Sequence, residues 1–121
     1  MAAAEWTVDS YETKTGEKPA LTFLKALKGR DLADALALLK ELREHGNSLR
    51  RPHSGSLDDG LFELRGKQVR IFYIFLPERM ALLLDGEIKK RNDIPTATLK
   101  RMRKLQKEAL RRNQERHHQE R

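Results

Sequence analysis

Residues 60–95 read GLFELRGKQVRIFYIFLPERMALLLDGEIKKRNDIP, three short apolar runs divided at Gly66-Lys67 and at Pro77-Glu78. Residues 61–65 alternate, with Phe62 and Leu64 facing one way and Leu61, Glu63 and Arg65 the other. Residues 69–76 are apolar on both faces except for Arg70, the mark of a central strand covered on both sides. Residues 80–84 are again continuously apolar, and Asp85, Glu87, Lys89 and Lys90 are expected to open that run towards solvent. Turns this short join antiparallel neighbours, so the stretch predicts a three-stranded meander. A cation inside such a sheet is costly unless something pairs with it. A bound phosphate would meet that cost, and so would ion pairs with acids such as Glu63.

Working outward towards the N-terminus, residues 47–60 are polar, with Pro52, Gly55 and an Asp58-Asp59-Gly60 turn signal. This linker also carries Arg50 and Arg51, and segments of this kind often border a site. Before it, Leu32, Ala35, Leu36, Leu39 and Leu42 form a helical stripe, with Asp31 as the expected N-cap and His45-Gly46 as its end. An earlier stripe of Ala20, Phe23, Leu24 and Leu27 opens at Pro19 and stops at Gly29. Two such helices on a tight loop predict a hairpin laid on one face of the sheet. Residues 5–11 alternate around Trp6 and Val8 and predict a first strand, placed by the long helical crossover as a parallel neighbour.

Towards the C-terminus, Pro95-Thr96 opens a last helix with its apolar stripe on Leu99, Met102, Leu105, Ala109 and Leu110. Beyond Leu110 the chain has no apolar residue, so residues 111–121 read as a polar basic tail after a single domain over 1–110.

The 121 residues carry a net charge of +7, unevenly placed. Residues 1–60 hold nine Lys/Arg against ten Asp/Glu, and residues 61–121 hold sixteen against eight. A basic half suggests a polyanion or an acidic protein partner. There is no cysteine, and four histidines with no suitable spacing make no zinc set; the His117-His118 pair lies in the tail. No glycine-rich phosphate loop follows a strand, so no nucleotide cofactor is expected. MAAAEWTVD shows no basic stretch before an apolar one, and no run is long enough for a membrane span. A soluble cytoplasmic protein is the expectation.

The remaining chemistry is cationic. Arg65 and Arg70, on strands joined by a tight turn, can lie close together, and Lys89 and Lys90 follow the adjacent strand. Guanidinium groups offer fixed paired donors to phosphate, and ammonium groups act as mobile point charges. The cluster could hold a nucleic-acid backbone or stabilise charge on a phosphoryl group during cleavage. In RNA the neighbouring 2′-hydroxyl supplies the nucleophile, so no metal is needed. Arg50, Arg51, Lys67 and Arg91 flank these positions, and Tyr73 could stack on a base or pack in the sheet.

The order of elements and five co-linear motifs resemble the RelE/ParE superfamily of toxins from bacterial toxin–antitoxin pairs, in its phage-derived, HigB-like branch. The motifs are Trp6-Thr7-Val8, Gly16-Glu17-Lys18-Pro19, Gly60-Leu61-Phe62-Glu63-Leu64-Arg65, Val69-Arg70-Ile71-Phe72-Tyr73, and Leu82-Leu83-Leu84 leading to Lys89, Lys90 and Pro95. The resemblance covers roughly residues 5–107. It implies an α+β, RelE-like fold: N-terminal strand, helix hairpin, three-stranded antiparallel meander, C-terminal helix. It also implies a ribosome-dependent mRNA endoribonuclease without cofactor, neutralised by a helix-turn-helix antitoxin. Arg65, Arg70 and one of Lys89 or Lys90 would be catalytic, with Arg50, Arg51, Lys67, Tyr73 and Arg91 expected to hold RNA. The chain departs from the branch at Asp85-Gly86-Glu87-Ile88, where a His- and Phe-containing segment is usual, and Asp93 adds another acid. Those acids lower the local positive potential. The alternative they raise is a non-cleaving member that binds antitoxin and inhibits a protein target such as DNA gyrase.

Overall fold

The computed structural model describes residues 5–119, with side chains described up to residue 116. Residues 1–4, which open the MAAAEWTVD segment, and the His117-His118 side chains lie outside that description. In chain order the elements are β1 (Thr7–Ser10), α1 (Pro19–Ala26), α2 (Gly29–His45), β2 (Ser54–Ser56), β3 (Phe62–Arg65), β4 (Val69–Leu76), β5 (Met80–Ile88) and α3 (Thr96–Gln119). A 3-10 turn, Gly46–Ser48, follows α2.

One five-stranded sheet has the order β1-β5-β4-β3-β2. The meander β3-β4-β5 is antiparallel, and β1 joins it as a parallel neighbour of β5. Helices α1 and α2 cover one face, where Ala20, Leu38, Leu42, Leu64, Ile71, Tyr73 and Leu83 form a buried core. Helix α3 covers the other, packing Met102 over Phe72, Ile74, Leu82 and Leu84. Arg70 and its neighbours lie on the α3 face.

The strand β2 was not predicted. Ser-Gly-Ser carries no β-branched or aromatic signal, and it pairs with β3 because the edge is available and Gly55 leaves room there. The helix boundaries also shift. Helix α1 ends at Ala26, Leu27 is extended and buried, and α2 begins at Gly29 with φ +57°. Asp31 therefore lies in the first turn of α2 rather than at its N-cap, where it still favours the helix dipole. Helix α3 continues past Leu110 into the segment read as a tail, and Arg112 Nη1 donates to the Glu12 carbonyl at 2.7 Å.

The largest departure is in β5. Phe72 pairs with Asp85 but Tyr73 pairs with Leu83, so Leu84 is an extra residue forming a bulge. Strict alternation from Leu82 and Leu84 would send Asp85 and Glu87 into the core beneath α1 and α2. The bulge resets the phase and turns both acids to the α3 face, leaving Gly86 against the Phe23 ring. The strand consequently does not open to solvent at Asp85, which is buried, but runs on to Ile88.

Candidate nucleic-acid interface

Register places Arg65 directly opposite Arg70, and Arg70 directly opposite Glu87. Two guanidinium groups side by side would repel, and the sequence answers with carboxylates on both sides. Glu63 Oε1 accepts from Arg65 Nε at 2.6 Å, and Glu63 Oε2 lies 3.0 Å from Arg70 Nε. The second contact is an ion pair bent too far for a hydrogen bond, which leaves both of its atoms without a hydrogen-bond partner. On the other side Arg70 Nη1 donates to Glu87 Oε2 at 2.8 Å. Arg70 Nη2 donates to the carbonyls of Arg91 and Asn92 at 3.3 and 3.0 Å.

All three guanidinium nitrogens of Arg70 are thus engaged, and the residue is only 2% exposed. Its burial, rather than a full set of hydrogen bonds, keeps it from a phosphate. What it does is hold three segments together: β3 through Glu63, β5 through Glu87, and the 91–92 loop through its carbonyls. Helix α3 is tied to the same network, because Thr98 Oγ1 donates to Glu87 Oε1 at 2.8 Å and Arg101 pairs with Asp85. Within this network three arginines meet three acids. Thr98 and Arg101 were not singled out from the sequence. Their partners Asp85 and Glu87 were the available signal, since acids in an apolar strand need donors opposite them.

Arg65 differs. Its side chain keeps about a third of its surface exposed, and its Nη groups are not taken up by the Glu63 bond. The guanidinium lies flat over Gly55, where a Cβ would come within 2.8 Å of Nη2. Around it the backbone gathers basic segments at one end of the sheet. Arg65 N–H donates to the His53 carbonyl, and Lys89 N–H donates to the Gln68 carbonyl. Lys89 Nζ reaches the Gly66 carbonyl at 3.2 Å. The segments carrying Arg50 and Arg51, Arg65 and Lys67, and Lys89, Lys90 and Arg91 therefore meet along one rim. Lys67, Lys90 and Arg91 are exposed, and Asp93 is paired with Arg91 at 3.6 Å.

Tyr73 is not available as a stacking platform. It is buried beneath the helix hairpin, stacked on Phe62, with its hydroxyl 2.6 Å from Ser54 Oγ. Burial raises the phenol above its ordinary range, opposed by the Ser54 bond and the charge of Arg50. Of the candidates for catalysis, then, Arg65, Lys89 and Lys90 share the rim and Arg70 lies beneath it.

Residues 22–107 match the family described as phage derived protein Gp49-like (DUF891). The chain belongs to the Gp49-like family. Its fold is similar to that of a chain in the crystal structure of the toxin–antitoxin complex RelBE2 from Mycobacterium tuberculosis. The TM-score is 0.52 at 20% identity, over 73% of this chain and 95% of that one. No curated protein matches. The Gp49-like chain is therefore α+β with a RelE-like arrangement of strands and helices, as its element order implied. Among its described residues no helix is long and apolar enough to cross a membrane.

Proposed function

We propose that this Gp49-like protein is the toxin of a type II toxin–antitoxin pair, a metal-independent endoribonuclease that cleaves mRNA on the ribosome in the cytoplasm. A cognate helix-turn-helix antitoxin would hold it inactive. The observation that carries this reading is the rim, where an arginine with free Nη groups stands among exposed lysines. Family membership and the RelE-like fold support it.

In this mechanism the message supplies its own nucleophile. The 2′-hydroxyl gives up its proton to solvent as its oxygen attacks the adjacent phosphorus, and the bond to the 5′-oxygen breaks as that oxygen takes up a proton, leaving a 2′,3′-cyclic phosphate and a 5′-hydroxyl. Arg65 meets the negative charge growing on the phosphoryl oxygens, held in place by Glu63 through Nε. Lys89 and Lys90 serve the leaving oxygen by charge or proton transfer. Lys67, Arg50, Arg51 and Arg91 hold the strand by its phosphates. Arg70 acts through others, fixing Glu63 and Glu87.

A second reading, binding without cleavage, is favoured by the balance of three arginines against three acids on the α3 face. Induced expression of the wild type and of Arg65→Ala, with growth and mapped 5′ ends of cellular mRNA as readouts, separates the two. We expect arrest with new 5′ ends for the wild type, and both lost in the variant while its circular dichroism is unchanged. Arrest with intact transcripts would overturn the ribonuclease reading, and a supercoiling assay would then test gyrase.

A further inference from the structure

On the outer face of α3, Lys100, Lys104, Lys107 and Arg111 recur at spacings of four, three and four residues, one row along a helix. All four are exposed. Met102, Gln106 and Ala109 occupy the opposite face, buried against the sheet. Among the described residues none of the four makes an ion pair or a side-chain hydrogen bond. The contrast with the sheet is sharp, because there each arginine meets a carboxylate. Within one turn of the row the acids are Glu108, half-buried on the flank towards Tyr11 and Thr13, and Glu115 past its end.

We infer that this row is a docking surface for an RNA duplex, separate from the rim that would meet the cleaved strand. It rests on the RNA reading above. From Lys100 to Arg111 the helix rises eleven steps, which makes a straight row of about 16 Å. A B-form duplex carries about ten phosphates over that length and the more compressed A-form no fewer, so each cation can find one. Residues 96–116 hold no aromatic side chain, and single strands without base reading are held by stacking on aromatics. Three of the four cations are lysines, point charges suited to a backbone rather than to paired base edges. An A-form minor groove is wide and shallow and takes such a flat row by shape. Lys100 lies one turn from the start of α3, next to the 91–95 segment, so the row extends away from the rim.

The test measures binding of a labelled RNA hairpin to the full chain by fluorescence anisotropy across a salt series. Compared are the wild type, Lys104→Gln/Lys107→Gln, and Lys89→Gln/Lys90→Gln, each checked by circular dichroism. We expect Lys104→Gln/Lys107→Gln to weaken hairpin binding about ten-fold near physiological salt and to lower the slope of log K against log salt by about two. We expect Lys89→Gln/Lys90→Gln to weaken single-stranded RNA more than the hairpin. An unchanged slope for Lys104→Gln/Lys107→Gln would overturn the proposal. So would equal affinity for duplex DNA of the same sequence, or displacement of the hairpin by poly-glutamate at equal charge. Binding is read without ribosomes or message. A wild type that holds the hairpin but leaves mRNA uncut sinks the ribonuclease reading alone, and the reverse result sinks only the row.

Discussion

Replacing Arg70 with alanine would leave Glu63 with only Arg65 and Glu87 with only Thr98, around a buried gap that also strips the Arg91 and Asn92 carbonyls of their donor. Removing one partner of a buried pair costs about 3–5 kcal/mol. We expect Arg70→Ala to lower stability by about that amount in urea denaturation, so lost activity in that variant would report folding rather than chemistry. Arg65→Ala removes a partly exposed group whose buried acid keeps the Arg70 ion pair but loses its hydrogen bond, and should cost about 1–3 kcal/mol, less than Arg70→Ala, while lowering cleavage about a hundred-fold or more. The sequence made both arginines conspicuous for the same reason, a charge within an apolar stretch. It could not separate them, because the difference lies in how many nitrogens the neighbouring strands consume, and strand register decides that. Tyr73 gives a pH test at this scale. Its raised pKa means the native phenol stays protonated while the unfolded one ionises near the ordinary value of about 10. That contribution is intact below pH 10 and is lost as pH rises beyond it. The stability difference between wild type and Tyr73→Phe, measured by denaturation at stepped pH, should shift in favour of the variant above pH 10.

The bulge in β5 is the element on which the site depends. It turns Asp85 and Glu87 to α3, and it leaves Gly86 facing α1 with a Cβ position 2.4 Å from Phe23 Cδ2. Gly86→Ala would force Phe23 from its place and should cost about 1–3 kcal/mol, read as a lowered denaturation midpoint. The meander, the helix hairpin and the parallel first strand were legible because each rests on periodicity or on a short turn. The bulge was not, since an apolar run followed by acids looks the same whether the strand ends or changes phase. Ser54–Ser56 was illegible for another reason. A three-residue edge strand is made by the pairing of its neighbour and not by its own side chains.

At the scale of the whole molecule, the basic half of the chain divides into cations that are spent on the fold and cations that are not. Arg70 and Arg101 belong to the first group, and Lys67, Lys90 and the α3 row to the second. Asp85 is the acid whose removal most directly moves a cation between them. In Asp85→Asn the Arg101 guanidinium, already about half exposed, loses its counter-charge and the α3 face gains one positive unit. We expect tighter binding of single-stranded RNA and a salt slope steeper by about 0.7, at a modest cost in stability. The same variant separates the two functional readings. If the rim cleaves RNA, tighter binding should bring more mapped 5′ ends at equal expression. If the balanced arginines mean binding alone, the affinity should rise while transcripts stay whole, because adding charge cannot create a proton-transfer path that is absent.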